Sequence, residues 1–300
     1  MLSRIDLKHA SLLLKKRLLG KLAKPGFYPT DIEGLQISRR DTPSEISKCF
    51  YKPMIAMFVQ GNKRILFGGN EYICKENDLV IAGIEVPVSS SIIKASSLKP
   101  HLAIALDLDM SMLSQIAIES PQNNLADSDS KSVLTQHVDA DIADAFLRLL
   151  ELLDKPEHIP ALAAQIKREI YYRLLTGPNG AQLRSFYALG SQNHQIARSI
   201  MRLKQSLSKP VKIEELAKHV NMAASTFHRH FKEITTLSPI QYQKRLRLQE
   251  AQRLMLADNM SASASAFSVG YENFGQFSRE YKRLFGEPPR KNIMRIKGKG

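Results

Sequence analysis

Apolar residues recur at helical spacing in two places within the last hundred residues of the chain. Residues 213–220 predict a short helix, residues 221–223 break it, and residues 224–234 predict a second helix. One face of the second helix is apolar, with Phe227, Phe231 and Ile234 at i, i+4 and i+7. Its other face is polar and basic, with Ser225, His228, Arg229 and Lys232. A short helix, a tight turn and a helix with two such faces are typical of a protein that reads the DNA major groove.

The same pattern returns further along, so that residues 261–284 predict a second helix-turn-helix unit to follow the first at 213–234. Asn273 is a good N-cap for its second helix, and Gln276 stands at the spacing of a capping box. The predicted buried face carries Phe277, Tyr281 and Leu284. Gly286 is a natural helix terminator, and the two prolines that follow prevent continuation.

A continuous helix is predicted between the two units. Ser238 is an N-cap, Pro239 takes the first helical position, and residues 240–256 contain no helix breaker. About 18 residues at 1.5 Å each give a rod of roughly 27 Å. Since one face of DNA repeats every ~34 Å, such a rod could let one monomer read two successive major-groove segments.

These residues resemble the AraC/XylS family of bacterial transcription regulators over roughly residues 195–293. The landmarks that agree in order and spacing include Leu216-Ala217, Phe231, Ser238-Pro239, Tyr242, Arg245-Leu246-Arg247, Val269-Gly270-Tyr271, Gln276-Phe277-Ser278-Arg279 and Phe285-Gly286. The resemblance implies base contacts from Ser225, His228 and Arg229 in the first unit and from Gly275, Gln276 and Arg279 in the second. It also implies phosphate contacts from Thr226, Lys232 and Ser278.

Several of these positions keep an alternative interpretation. Arg229 can pair with guanine O6 and N7, but the same guanidinium can bind a phosphate instead. Phe274 matches a base-reading position, yet it is in phase with Phe277, so we expect it to be buried. The chain also departs from the family pattern twice. Ala223 replaces a serine N-cap, at a cost of ~1 kcal/mol, and Ser265 replaces an isoleucine.

The first half of the chain has a different pattern. Residues 1–24 predict a basic amphipathic helix ended by Pro25-Gly26. Six short apolar runs rich in Ile, Val, Phe and Tyr then predict strands: 54–59, 64–67, 71–74, 79–82, 88–94 and 102–108. Their spacing, with turn residues between them, favours a small antiparallel barrel or sandwich.

Residues 28–120 also resemble the cupin-like N-terminal domain of one AraC subgroup, which binds an effector or dimerises. The matching residues are Gln60-Gly61-Asn62-Lys63, Tyr72, Pro87-Val88, Ala95-Ser96 and Pro100. The alternative is a cupin-type enzyme, which would need metal-binding histidines at i, i+2 on a strand. His101 is the only histidine in this range, and His228 and His230 diverge on a helix. We therefore predict no enzyme, no metal and no cofactor.

Helices are expected to follow the strands. Residues 111–130 predict a helix end and a polar loop, and residues 133–153 and 161–175 predict two amphipathic helices. These two helices either cover the barrel or form the dimer interface that the resemblance implies for 133–175. Residues 189–195 are the expected hinge. The fold class is thus α+β, with a cupin-like barrel under a helical cover and an all-α domain of two helix-turn-helix units joined by a long helix.

Charge separates the halves of the chain. Residues 191–300 carry 20 Lys and Arg against 8 Asp and Glu, a net of +12, whereas residues 1–190 carry a net of only +2. Because the excess lies on the helix-turn-helix segment, polyanion binding is favoured over a merely solvated surface. We predict three regions: an arm and regulatory domain at 1–130, a dimerisation and linker region at 131–190, and a DNA-binding domain at 191–300.

The expected partners are promoter DNA, RNA polymerase, a second copy of the chain and a small-molecule effector, with no membrane contact. Cys49 and Cys74 are expected to be spectator thiols, with a disulfide or redox switch as the alternative. The absence of a signal-like apolar run predicts a cytoplasmic bacterial protein that lies with the nucleoid when bound. An effector, or oxidation near a cysteine, is expected to repack the helices at 133–175 and change the spacing of two DNA-binding halves.

Overall fold

Two compact units make up the part of the chain that the computed structural model describes, residues 6–119, 131–188 and 190–297. The first unit runs to Ile46 and from Tyr51 to His194. The second unit begins at Gln195 and also takes in Ser47–Phe50. The first is rich in β-sheet and the second is mainly helical, which confirms the predicted mixed fold class. The region at 131–190, which we predict as a linker, groups with the first unit.

The described residues form ten strands in two sheets, and six of these strands match the predicted runs closely. They are β1 Gly26–Pro29, β2 Leu35–Arg40, β3 Ser47–Tyr51, β4 Met54–Gln60, β5 Asn62–Phe67, β6 Asn70–Cys74, β7 Asp78–Ala82, β8 Val86–Lys94, β9 His101–Asp107 and β10 Val133–His137. The larger sheet has the order β1-β2-β9-β4-β7-β10, and the smaller has the order β3-β8-β5-β6. The registered pairs of the larger sheet are antiparallel, although only β1 and β2 follow each other directly in the chain.

The helices of the first unit are α1 Leu7–Lys21, α2 Met110–Glu119, α3 Ala140–Leu152, α4 Ile159–Thr176 and α5 Gly180–Tyr187. The predicted N-terminal helix is confirmed as α1, which Asp6 caps by accepting a 2.8 Å hydrogen bond from the His9 amide. It packs against α3, and their exposed ends are joined by ion pairs of Arg17 and Lys21 with Asp154. Exposed pairs of this kind add little stability, so the buried side chains Leu14 and Leu18 hold the helix.

One predicted helix is wrong in its first part. We expected residues 133–153 to be a single helix, but Val133–His137 is a strand that pairs with β7, and the helix begins only at Ala140. Asp139 explains the start, because its carboxylate accepts a 2.7 Å hydrogen bond from the Ile142 amide as an N-cap. The predicted helix 161–175 is confirmed as α4, with two extra residues at its start and one at its end. Of the predicted polar loop, residues 120–130 lie outside the described residues.

The second unit contains α6 Gln192–Gln205 from Gln195 onward, and then α7 Ile213–His219, α8 Ala224–Thr235, α9 Pro239–Ala257, α10 Ala262–Ser268, α11 Phe274–Phe285 and α12 Pro289–Lys297. Both helix-turn-helix units and the helix between them are therefore confirmed. Ser238 and Gln241 form a full capping box at the start of α9. The predicted hinge is shorter than expected, since α6 already begins at Gln192, and Leu189 is outside the described residues.

Candidate nucleic-acid interface

The first candidate recognition helix, α8, is held by an aromatic core. Phe227 and Phe231 are fully buried, with ring centroids 5.5 Å apart, and Phe231 meets Tyr242 of α9 edge-on at 5.3 Å. No side chain caps the helix start, because Ala223 stands at the N-cap position. The helix depends on tertiary packing of its apolar face, which leaves the opposite face free to meet a ligand.

That opposite face carries the residues that the sequence singles out. Ser225, Arg229 and Lys232 are exposed, and Thr226 and His228 are half-buried at its edges. The Arg229 guanidinium extends into solvent with its Nε 4.0 Å from a Glu233 carboxylate oxygen. An exposed pair at that distance is weak, so Arg229 can exchange Glu233 for a base or a phosphate.

The second candidate recognition helix, α11, has a complete N-cap. Asn273 accepts a 2.9 Å hydrogen bond from the Gln276 amide, as the sequence predicts. The Gln276 side chain lies 3.3 Å from a Glu280 carboxylate oxygen. Gly275, Gln276 and Arg279 are exposed and Ser278 is half-buried, so all the predicted contact residues of this helix lie together near its start.

The expected burial of Phe274 is wrong. Its side chain is 41% exposed, although its ring approaches Phe277 at 5.9 Å. Phe274 is the first residue of α11, so no preceding helical turn covers the outer side of the ring. An exposed aromatic ring beside Gly275 and Gln276 offers an apolar surface of the kind that contacts the methyl group of thymine.

A hydrogen-bonded joint fixes the second helix-turn-helix unit to α9. Arg247 of α9 donates to the carbonyls of Leu207, Ser208, Lys209 and Gly270 at 2.8–3.0 Å. The Gln243 amide donates to Leu207 and Lys209 as well. The segment that follows α6 and the turn that precedes α11 are thereby held on one helix. We call these contacts the Arg247 joint.

The carboxylate of Glu280 also connects α11 to the rest of the unit. Glu280 accepts hydrogen bonds from Lys244 at 2.9 Å and from the Tyr271 hydroxyl at 2.8 Å. Burial alone would raise the pKa of the Glu280 carboxyl, but these hydrogen bonds outweigh it and hold the pKa below its usual range. The ionised carboxylate therefore links α9, the turn residue Tyr271 and α11 at neutral pH.

Sequence reasoning missed three features of this unit. It gave no role to Arg247 or Glu280, because their partners are backbone carbonyls and residues distant in sequence. It also missed α12, which begins with Pro289 and buries Asn292 against the Tyr281 hydroxyl. The proline at the first helical position was the sequence feature that could have predicted this helix.

The less apolar core that we expected at Ser265 is present, since this serine is fully buried and its hydroxyl has no hydrogen-bond partner.

The two cysteines of the chain are both thiols. Cys49 is half-buried and Cys74 is buried. Burial, reinforced by the negative charge of Asp78, raises the pKa of the Cys74 thiol to about 12. Because the thiolate is the reactive form, Cys74 is poorly suited to sense oxidants at neutral pH.

We therefore expect Cys74 to resist thiol reagents in the folded protein at pH 7.5. Mass-spectrometric counting of labelled thiols after treatment with N-ethylmaleimide should find it modified only after unfolding. The Cys49→Ser variant isolates the signal, and the same variant in denaturant gives full labelling of Cys74. Rapid labelling of native Cys49→Ser would contradict the buried, protonated state.

Among the described residues, no group of three or more His, Cys, Asp or Glu side chains is placed to hold a metal ion. The described helices include none that is long and apolar enough to cross a membrane.

Comparison with known proteins decides the family. The model of the AraC-type transcriptional regulator N-terminus matches residues 31–182, and that of a helix-turn-helix domain matches residues 216–293. The chain belongs to the AraC-type transcriptional regulators. Its relatives have a regulatory and non-enzymatic role, so the enzyme alternative is set aside.

Curated relatives of this AraC-type regulator include ArgR of Pseudomonas aeruginosa, which is 26% identical over 51% of this chain and 47% of its own length. GbdR of the same species is 29% identical over 47% of this chain and 39% of its own length. The activator RhaS of Escherichia fergusonii is 35% identical over 33% of this chain and 34% of its own length. The chain thus spans about half or less of each of these relatives.

Solved structures of ToxT from Vibrio cholerae share the fold of this AraC-type regulator. A ToxT structure with bound unsaturated fatty acid aligns with a TM-score of 0.61 at 9% identity, covering 87% of this chain and 93% of ToxT. A second, bound to (E)-4-(8-methylnaphthalen-1-yl)but-3-enoic acid, aligns with a TM-score of 0.62 at 11% identity, covering 87% and 99%. At these identities the likeness shows the fold alone.

Proposed function

We propose that this AraC-type regulator binds promoter DNA by placing α8 and α11 in two successive segments of the major groove. The observation that carries the proposal is that both helices bury an aromatic face and expose a polar, basic one within a single unit. The helix between them, α9, has 19 residues and is about 28 Å long. That length is close to the ~34 Å repeat of one DNA face.

The proposed base contacts come from Ser225, His228 and Arg229 of α8 and from Gly275, Gln276 and Arg279 of α11. Thr226, Lys232 and Ser278 are proposed to bind phosphates, and the exposed ring of Phe274 is a further candidate for contact with thymine. The charge of +12 on residues 191–300 supports this assignment, because neutralised phosphates release counterions and strengthen binding.

The first unit is proposed to bind a small-molecule effector that controls transcription. ToxT, which shares this fold, has been crystallised with small organic acids, and this supports an effector role for a related chain. A homodimer through 133–175 and a contact with RNA polymerase complete the proposed assembly, and the bound form would lie with the nucleoid. If the effector changes the spacing of the two DNA-binding halves, it must bind the two spacings with different affinity, because a ligand with equal affinity for both does not change their populations.

Substitution of Arg229 or Arg279 by alanine tests the DNA interface. Each change is expected to weaken specific binding by about 1–3 kcal/mol and to relax the base preference at one position, because a bidentate contact is lost. Binding of the full chain to operator and random DNA is measured by fluorescence anisotropy across a salt series. Operators are first obtained by selection from a random library.

Arg253→Ala is the matched control. Arg253 is an exposed arginine of α9 that already pairs with Glu250 and Asp258, so its loss removes the same charge away from the recognition helices. An equal loss on operator and random DNA, with a shallower salt dependence, would reassign Arg229 or Arg279 to a phosphate. Failure of the selection to enrich any sequence would contradict the proposed function.

A further inference from the structure

The two candidate recognition helices have the same length but different ends. Both α8 and α11 contain 12 residues, and each is the second helix of its helix-turn-helix unit. Each also buries two aromatic rings, those of Phe227 and Phe231 in α8 and those of Phe277 and Tyr281 in α11. Because the two buried faces are similar, differences at the helix ends decide which helix is the more stable.

The starts of the two recognition helices differ in their capping. The N-cap position of α8 is Ala223, whose methyl side chain cannot accept a hydrogen bond from the free amides of the first turn. The N-cap of α11 is Asn273, whose side chain accepts a 2.9 Å hydrogen bond from the Gln276 amide. Alanine in place of a good N-cap residue lowers the equilibrium constant for helix formation roughly two- to thirtyfold.

The helices that precede them show the same contrast. Lys212 at the start of α7 has no side-chain acceptor, whereas the Ser261 hydroxyl at the start of α10 accepts a 3.1 Å hydrogen bond from the Ala264 amide. Glu214 and Glu215 in the first turn of α7 partly compensate, because negative charge is favourable near a helix N-terminus. The first turn of α8 contains no acidic residue, so the deficit is largest in that helix.

The C-terminal ends of the two recognition helices differ as well. Each helix is followed by a residue in the left-handed region, Thr236 with a φ of 67° after α8 and Gly286 with a φ of 83° after α11. Glycine has no Cβ and takes this conformation freely, but a β-branched residue such as threonine is strained in it. The strain at Thr236 therefore lowers the stability of α8 relative to α11.

Hydrogen bonds between side chains tie α11 to two other helices. Glu280 accepts a hydrogen bond of 2.9 Å from Lys244 of α9, and the Tyr281 hydroxyl lies 2.9 Å from the side-chain oxygen of Asn292 in α12. These contacts add to the stability of the helix whose ends are already the better formed.

We propose that α8 is ordered only part of the time in the free chain and becomes fully ordered on DNA, whereas α11 is formed in advance. The second helix-turn-helix unit meets DNA as a preformed reader, and the first completes its recognition helix against the major groove. The apparent affinity is then the intrinsic affinity multiplied by the fraction of chains in which α8 is formed. This inference rests on the proposed DNA-binding function and gives its two readers different roles.

Hydrogen–deuterium exchange of the full chain, followed by mass spectrometry, tests the proposal in the absence of DNA. The amides of residues 224–235 are expected to have protection factors at least about tenfold lower than those of residues 274–285. Addition of the selected operator should then increase the protection of α8 more than that of α11. Equal protection of the two helices in the free chain would overturn the proposal. Lower protection of α11 would also overturn it and would assign the larger deficit to the buried Ser265 hydroxyl.

A reciprocal pair of substitutions separates helix order from DNA contact. Thr236→Gly removes the strained residue and adds no group that could bind DNA, so the protection of α8 should rise about fivefold. Operator affinity should rise about two- to threefold, because α8 is formed in a larger fraction of the chains. Gly286→Thr places the same strain at the end of α11 and should lower the protection of that helix alone. Thr236→Ser keeps a non-glycine residue in the left-handed region and should behave as the wild type.

The affinity measurement distinguishes failure of this inference from failure of the proposed function. Greater protection of α8 in Thr236→Gly with unchanged operator affinity would show that α8 is already formed before binding, and would overturn the proposal. If the chain is not a sequence-specific regulator, no operator is enriched from the random library, whatever the exchange of the free chain.

Discussion

The Gly270→Ala variant is expected to lose about 3–5 kcal/mol of the free energy of unfolding of the second unit. Gly270 has a φ of +92°, a conformation that costs L-residues energy. A Cβ at this position would also lie 2.1 Å from the Ser208 carbonyl oxygen and 2.7 Å from its Cα. Both atoms belong to the backbone, so no side-chain rotation can relieve the overlap.

Gly286→Ala is the matched control for this prediction. Gly286 has a similar φ of +83°, but nothing lies within 4 Å of the position its Cβ would take. The control should therefore show only the conformational cost, about 1–2 kcal/mol. Urea unfolding of the full chain, followed by far-ultraviolet circular dichroism, measures both variants. Equal losses would contradict the close approach of the turn to Ser208.

The same two variants separate stability from DNA reading. Because Gly270 lies in the turn that precedes α11, its displacement should also move Gln276 and Arg279. In the absence of denaturant, where the Gly270→Ala chain is still folded, its specific binding to the selected operator is expected to be weaker than that of the wild type. Gly286 follows α11, so Gly286→Ala should retain the base preference of the wild type.

Much of this fold could be predicted from patterns of residues that are close together in the sequence. The helix-turn-helix units could be predicted because each helix shows an apolar stripe such as Phe227, Phe231 and Ile234, and because caps such as Ser238 lie next to their helices in sequence. The strands could be predicted because short apolar runs alternate with turn residues. In each case the determining residues lie within a few positions of one another.

Non-local contacts account for what the sequence did not predict. Val133–His137 is a strand because β7 offers it an edge to pair with, and no local pattern reveals that partner. The exposure of Phe274 depends on its place at the first position of α11, where helical phase alone is misleading.

The Arg247 joint is expected to contribute much of the stability of the second unit. The guanidinium of Arg247 meets four carbonyl oxygens, of Leu207, Ser208, Lys209 and Gly270, at 2.8–3.0 Å. Burial lowers the pKa of this group, but an arginine stays charged under all ordinary conditions. Charged donors make the stronger hydrogen bonds of proteins, and their removal leaves partly buried carbonyls without partners.

Arg247→Met is therefore expected to destabilise the second unit by about 2–4 kcal/mol, although methionine preserves most of the apolar stem. Arg247→Lys should recover only part of this loss, because a single ammonium cannot span carbonyls from two separate segments as the planar guanidinium does. Arg253→Met is the control, since Arg253 is an exposed arginine of the same helix whose ion pairs contribute little. Urea unfolding of the full chain measures all three.

A double-mutant cycle identifies what the Arg247 joint does. Arg247 and Gly270 share one hydrogen bond and one close approach to Ser208, so their substitutions should be strongly non-additive. If the joint positions α11, Arg247→Met should also weaken operator binding more than random-DNA binding, because base contacts require placement that phosphate contacts do not. Additive losses in stability, with equal losses on both DNAs, would mean that the two residues act separately and that α11 takes its position from the aromatic core alone.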